Sequence, residues 1–160
     1  MGQYMGERVT GWARWVGAAS VTLALSGCGS NPTAAQPTNG SITAQVDGGS
    51  FTGTTIAATY ISGILGMAGT DAQGRTIGIG GQVPGPGTYT VGVTSPANFS
   101  LTIGSAGWQA AILLGSGSLT VTSISAAGAK GTFQFTGGPV PGTAATGTKV
   151  VTPGAFDVKF

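Results

Sequence analysis

Few side chains in this sequence of 160 residues can perform acid–base, nucleophilic or metal chemistry. The chain contains no histidine and a single cysteine, Cys28, and its carboxylates after that point are Asp47, Asp71 and Asp157. Histidine is the commonest general base, and a zinc site needs a cluster of His or Cys ligands. Nothing in the spacing of the aspartates suggests that two of them converge. We therefore expect no catalytic centre, no metal site and no cofactor, and we expect Asp47 and Asp71 to serve as turn residues.

The residues before Cys28 indicate a different use for its thiol. Two arginines precede a short apolar run over residues 15–25, and small residues follow it. A basic start, an apolar middle and small residues at the end are typical of a secretory signal. The segment Leu25-Ser26-Gly27-Cys28 resembles the lipobox of bacterial lipoproteins. This resemblance implies cleavage before Cys28, a diacylglycerol thioether on its sulfur and acylation of the new amino group.

Three other interpretations of Cys28 fit the sequence less well. A lone cysteine is often a small buried residue, but Gly29-Ser30-Asn31-Pro32 follows it, which is not a core sequence. A membrane-spanning helix takes about 20 apolar residues, roughly twice the length of the run here. An ordinary cleaved signal would leave an unpaired thiol in an oxidising compartment, which would need a reason of its own.

The chain divides into three parts by composition. Residues 1–27 are the expected signal peptide, which would form a signal helix. Residues 28–41 are polar and rich in Pro and Gly, and are expected to form a flexible tether with an r.m.s. reach of about 20 Å. Residues 42–160 are expected to form a single domain, large enough to bury a core without disulfides.

The distribution of charge argues against nucleic acid as a partner. After loss of residues 1–27, the chain carries three aspartates and four basic side chains, which gives it a net charge of +1. The basic residues are scattered singly along the chain and form no patch for nucleic acid: Arg75, Lys130, Lys149 and Lys159.

Alternation of apolar and polar residues dominates the sequence from residue 42 onward. Since successive side chains of a strand point to opposite faces, such runs predict strands with one buried and one wet face. Turn signals separate the runs by about 8–12 residues, so we expect an all-β fold, an antiparallel β-sandwich or small closed barrel-like sandwich of about 8–11 short strands. The clearest alternating runs are Ile42–Val46, Tyr89–Val93, Phe99–Ile103, Phe133–Phe135 and Phe156–Phe160.

Glycine, proline and Asp-Gly pairs predict the turns. Asp71–Gly74 should close a hairpin between strands near 64–70 and 75–81, and Pro84–Gly87 should form an irregular connection, since proline cannot donate to a ladder. Further turns are predicted at Asp47-Gly48-Gly49, Gly115-Ser116-Gly117, Ala126-Ala127-Gly128 and Pro153-Gly154.

Two stretches fit more than one structure. Residues 54–69 carry apolar side chains on both parities, so a buried helix is possible there. Two strands joined near Ser62-Gly63 are favoured, because Thr, Ile and Tyr are better strand formers. Residues 108–114 form a continuous apolar run, which could be a strand buried on both faces or a single helical turn.

The motif order is similar to that of an uncharacterised all-β domain found in bacterial lipoproteins. Ile42–Phe51 opens the domain, Gly87-Thr88-Tyr89 lies mid-chain, Gly117–Thr122 leads to Gly131–Phe135, and Val151–Phe156 precedes the last strand. The resemblance covers nearly all of residues 42–160 and implies the fold without an activity. Phe51, after the opening Asp-Gly, is expected in the core.

These observations predict a non-catalytic binding or structural module of the bacterial cell envelope. The membrane is its first expected partner, through a lipid on Cys28, and an envelope protein or a glycan is a second one; Trp108 is a possible ligand contact, although a core position is favoured. Gly29 stands where some bacteria place the Asp that marks retention at the inner membrane, which favours the outer membrane. An integral outer-membrane β-barrel, suggested by the alternation that ends in Phe160, and a secreted hydrolase are the alternatives.

Overall fold

The computed structural model describes residues 40–92 and 97–160. These residues form β-strands, turns and loops and no helix, and so they include no helix that could cross a membrane. The expected signal, Cys28 and residues 28–39 of the expected tether lie outside the described residues, while Gly40 and Ser41, which were expected in the tether, begin the first strand. The strands are β1 Gly40–Val46, β2 Gly49–Ile61, β3 Ile64–Asp71, β4 Thr76–Gln82, β5 Gly87–Thr90, β6 Asn98–Ile103, β7 Ala106–Ala110, β8 Gly115–Ser125, β9 Gly128–Pro139 and β10 Lys149–Lys159.

Eight of these strands close into an antiparallel barrel. The ring runs β1-β2-β3-β4-β6-β7-β9-β10, and β10 pairs with both β9 and β1. Strand β8 pairs with the same edge of β9 as β7 does, and β5 pairs with the outer edge of β8. The all-β, closed barrel-like fold expected from the alternating sequence is confirmed.

Alternation along each strand places the core inside this ring. In β1 the side chains of Ile42, Ala44 and Val46 are buried and those between them are exposed. The expected core positions of the domain are confirmed, since each is at most 4 % exposed: Phe51, Phe133, Phe135, Phe156 and Val158. The outer surface of these strands is mainly Thr, Ser and Gln.

Local sequence explains the tight hairpins. Asp47-Gly48 joins β1 to β2, and Ser62-Gly63 joins β2 to β3. All four residues have positive φ, from 48° to 83°, which matches the right-handed twist of the flanking strands. The two-strand interpretation of residues 54–69 and the predicted hairpin around Asp71–Gly74 are both confirmed.

Two predicted turns are wrong, and the same physical reason explains both. Gly115-Ser116-Gly117 begins β8, and Pro153-Gly154 lies within β10 at a bulge. A Cβ on Gly115 would lie 2.3 Å from the Thr136 carbonyl oxygen, and one on Gly154 would lie 2.6 Å from the Phe133 ring. These glycines allow atoms of the neighbouring strand to approach the backbone closely. Close approach, like turn formation, is a common reason for a glycine in this part of a sequence.

The apolar run over residues 108–114 combines a strand end with a turn. Trp108 and Ala110 are buried on β7, and the chain then leaves the ladder. The Leu114 N–H donates to the Ala111 carbonyl at 3.0 Å and closes the turn. Ile112 and Leu113 are consequently 52 % and 98 % exposed.

Candidate functional site

Asp71 is the one buried charged side chain among the described residues. It ends β3, and its Oδ1 accepts the backbone N–H groups of Gln73 at 3.0 Å and Arg75 at 2.9 Å. Its Oδ2 accepts the Arg75 Nε–H at 2.6 Å. The Arg75 guanidinium also donates to the Ser50 carbonyl and lies 5.7 Å from the centre of the Phe51 ring. The pair therefore fastens the β3–β4 turn to β2.

The environment of Asp71 stabilises its charged form. Burial alone raises the pKa of this carboxyl, but the hydrogen bonds from the Arg75 backbone and side chain, the Arg75 charge and the Gln73 N–H together outweigh it. The pKa of Asp71 consequently lies below its ordinary value of 3.8. A carboxylate held in this way is a structural ion, because it is buried and its two oxygens already accept three hydrogen bonds.

We expect Asp71→Asn to lower the free energy of unfolding by about 2 kcal/mol near neutral pH, the scale of a hydrogen bond to a charged group. Because the folded-state pKa is lowered, the stabilisation by the carboxylate is present above the ordinary value of 3.8 and is lost as pH falls through the folded pKa. Urea unfolding of both proteins, from neutral pH down to about pH 2, should show the difference shrinking in acid.

The matched control is Asp157→Asn. Asp157 Oδ2 lies 2.7 Å from Lys130 Nζ, but both side chains are at least half exposed, so the loss should stay below about 1 kcal/mol. A gap between wild type and Asp71→Asn that is absent, or as large at low pH as at neutral pH, would contradict the assigned role of the charge.

Asp47 forms a second ion pair at the same end of the barrel. Its Oδ2 accepts from Lys149 Nζ at 2.7 Å, and its Oδ1 accepts the Val150 N–H at 2.9 Å. The Lys149 hydrogen bond and then the Val150 N–H hold the pKa of Asp47 below its usual value, against a smaller effect of burial. Each described aspartate is thus paired with a cation, and the structure brings none of them together with another.

Trp108 lies beside this pair, in the core position that the sequence favoured. It is 6 % exposed, its Nε1–H donates to the Gly147 carbonyl at 3.2 Å, and the Lys149 ammonium lies 5.4 Å from its ring centre. The ring face is therefore covered. Trp108 is among the residues that line a depression of about 360 Å³ beside β6 and β7, but at 6 % exposed it offers a ligand little surface.

A concave surface lies on the outside of β8, β9 and β10. Ser116 stands opposite Thr136, and Ser118 stands opposite Gln134. The register of β10 shifts between Val151 and Gly154, and such a bulge bends its strand. The result is a cleft of about 410 Å³ that contains these side chains together with Thr152 and the half-exposed Val150.

A second depression of about 350 Å³ continues this cleft and shares Ser118, Gln134 and Thr152 with it. Together they form one surface, which we call the hydroxyl groove. Its outward side chains are neutral donors and acceptors, and Thr152 Oγ1 donates to Gln134 Oε1 at 3.4 Å. The groove is lined by the polar side chains of Ser116, Ser118, Thr120, Thr132, Gln134, Thr136 and Thr152.

Sequence reasoning missed this groove. It identified Thr132, Gln134 and Thr136 only as the wet side of an alternating strand, which is true of many β-strands. The register of β8 and β10 against β9 lines them up with other hydroxyl groups, and register cannot be read from alternation alone. The bulge residues Thr152 and Pro153 carried the one available signal, but on sequence grounds Pro153-Gly154 predicts a turn.

Comparison with known families shows which family this chain belongs to. The family model described as Domain of unknown function (DUF6252) matches residues 38–157. The chain belongs to this family. The DUF6252 match spans the three aspartates, Trp108 and the whole hydroxyl groove, and it begins after Cys28. Comparisons with curated proteins and with solved structures found no match.

Proposed function

We propose that this protein is a lipid-anchored, non-catalytic glycan-binding protein of the bacterial cell envelope, held by Cys28 and binding through the hydroxyl groove. The anchor is argued from Leu25, Ser26, Gly27 and Cys28, and the absence of Asp at position 29 favours the outer membrane. The observation that carries the binding proposal is the groove itself, which is concave and lined by neutral hydroxyl and amide groups.

The distribution of side chains favours an exported domain over an integral membrane barrel. A membrane-spanning barrel carries an apolar band on its outside and a polar interior. Here the inward side chains are Phe, Ile, Leu and Val, while the outward ones on β1 are Ser41, Thr43 and Gln45. This arrangement suits a domain that buries its apolar side chains internally and meets water on its outside.

The ion pairs support a non-catalytic role. General acid–base catalysis needs a titratable group within reach of a substrate. Asp71 is buried and accepts three hydrogen bonds, while Asp47 and Asp157 are paired with lysines. None of the three lines the hydroxyl groove. A hydrolase would require carboxylates released from these pairs.

The chemistry of the groove matches an uncharged polyhydroxylated chain. Hydroxyl and amide groups both donate and accept hydrogen bonds, as sugar hydroxyl groups do. No charged side chain lines the groove, so anionic or cationic polymers have no counter-ion there. Val150 and Pro153 are exposed there and supply apolar surface for the C–H faces of sugar rings.

We expect the mature protein to be retarded in gels that contain neutral glucans or mannans. The double variant Gln134→Leu, Thr152→Val keeps side-chain size but removes two hydrogen-bonding groups. At about 1 kcal/mol for each lost bond, affinity should fall by about tenfold or more. The matched control is Thr43→Val, an exposed threonine on β1 outside the groove.

Equal loss of binding in Thr43→Val and in the double variant would contradict the groove assignment. Absence of binding to all of these neutral glycans would contradict the glycan proposal and leave the lipid anchor unaffected.

A further inference from the structure

One rim of the barrel is apolar, and it is the rim at which the described chain begins. Gly40 pairs with Val158, and Gly128 pairs with Lys159, so the start of β1, the β8–β9 turn and the end of β10 share this rim. The Phe160 ring stacks on Tyr60 with centroids 5.7 Å apart, which brings the β2–β3 hairpin tip to the same place. The predicted tether from Cys28 therefore meets the barrel here.

The exposed side chains of this rim are unusually apolar. Ile61 and Ile64 flank the hairpin tip and are 71 % and 61 % exposed, and Phe160 is 36 % exposed. Ala126 and Ala127 form the exposed β8–β9 turn beside Phe160, whose N–H donates to the Ala127 carbonyl at 3.4 Å. We call these five residues the apolar rim.

The net charge differs between the two ends of the barrel. At the end opposite the apolar rim, Asp47 and Asp71 lie in turns and are neutralised by Lys149 and Arg75. Toward the apolar rim, Lys130 and Asp157 pair with each other, and the exposed Lys159 next to Phe160 leaves one net positive charge. An apolar rim with an adjacent cation has the composition expected for contact with a bilayer surface, where apolar groups enter the interface and cations meet lipid phosphates.

We propose that the apolar rim rests on the bilayer that carries the Cys28 anchor. The inference depends on the proposed lipid anchor, since 11 residues separate Cys28 from Gly40, which lies at this rim. The tether that the sequence predicts for this length has an r.m.s. reach of roughly 20 Å, so the rim would lie within reach of the lipid surface. Tethering turns a weak second contact into an intramolecular one with a high effective concentration.

This orientation has a consequence for the hydroxyl groove. Ser116 lies near the start of β8, Thr136 near the end of β9 and Val150 near the start of β10, so this part of the groove lies toward the rim opposite the membrane. With the apolar rim on the lipid, this part of the groove lies farther from the bilayer, where a glycan chain can approach it.

The test uses the lipidated protein reconstituted in vesicles of phosphatidylethanolamine and phosphatidylglycerol that contain a lipid-borne quencher. A fluorophore is attached to a cysteine introduced by Ala126→Cys at the apolar rim or by Ser105→Cys in the β6–β7 turn at the far end. We expect several-fold stronger quenching at position 126. The double variant Ile61→Ser, Ile64→Ser should remove that difference, because it removes the most exposed apolar side chains of the rim.

The matched control is Ile112→Ser, Leu113→Ser, which removes an equally apolar, exposed pair from the β7–β8 turn. It should leave quenching at position 126 unchanged. Equal quenching at positions 126 and 105, insensitivity to the rim variant, or energy transfer between two rim-labelled copies in place of quenching would overturn the inference while the anchor stands. Protein that does not remain with the vesicles would overturn the anchor, and the inference with it.

Discussion

Truncating Phe99 or Phe135 to alanine should lower the free energy of unfolding by about 3–5 kcal/mol, the usual cost of removing a buried phenylalanine. The two rings stack with centroids 5.1 Å apart and an interplanar angle of 14°. Phe99 is on β6 and Phe135 on β9, which are not ladder partners, so the contact crosses the interior of the barrel. The loss is a large share of the stability of a domain of this size.

Urea unfolding of the mature protein, followed by circular dichroism, measures this loss. Because the rings touch, the double variant should lose less than the two single losses added together. Val150→Ala serves as the control, since Val150 is 42 % exposed and its truncation removes little buried surface. Additive losses, or single losses no larger than that of Val150→Ala, would show that the two rings do not share one core.

The alternation of apolar and polar residues predicted much of this barrel, because the side chains on one face of a strand recur every two residues. The runs around Phe133 and Phe156 gave both the strands and their buried side chains. Turns with a local chemical reason, such as Asp47-Gly48 and Asp71–Gly74, were also predictable. The strand positions of Gly115 and Gly154 were not predictable from local sequence. A Cβ at these positions would collide with the Thr136 carbonyl oxygen and with the Phe133 ring, which belong to the neighbouring strand.

The candidate site was less predictable than the fold for a related reason. Asp71 could be identified as a turn residue, but its ion pair depends on Arg75, which the sequence identified only as one of four scattered basic residues. The hydroxyl groove depends on the register of three strands and on the bulge in β10. Ordinary serines and threonines become a surface only when neighbouring strands align them, and no single strand carries that information.

Replacing Cys28 with serine should abolish lipid attachment altogether. A serine hydroxyl does not provide the sulfur that the lipobox resemblance requires, so the chain should remain an uncleaved precursor that still carries residues 1–27. Stable anchoring takes more than one acyl chain, because a single chain gives only marginal, reversible membrane binding. Metabolic labelling with an alkyne fatty acid and fractionation of the envelope measure the effect.

Ser30→Ala is the matched control for this change, because it also alters one small side chain but lies outside Leu25-Ser26-Gly27-Cys28. It should be labelled, cleaved and fractionated like wild type. Cys28→Ser protein that takes up the label and matures normally would refute the anchor.

Mass spectrometry of the N-terminal peptide from the native, envelope-purified chain tests the central claim most directly. The account predicts a peptide that begins at Cys28 and carries a diacylglycerol thioether on its sulfur and an acyl group on its amine. A peptide with an unmodified Cys28 thiol, or one in which residues before Cys28 are retained, would contradict it.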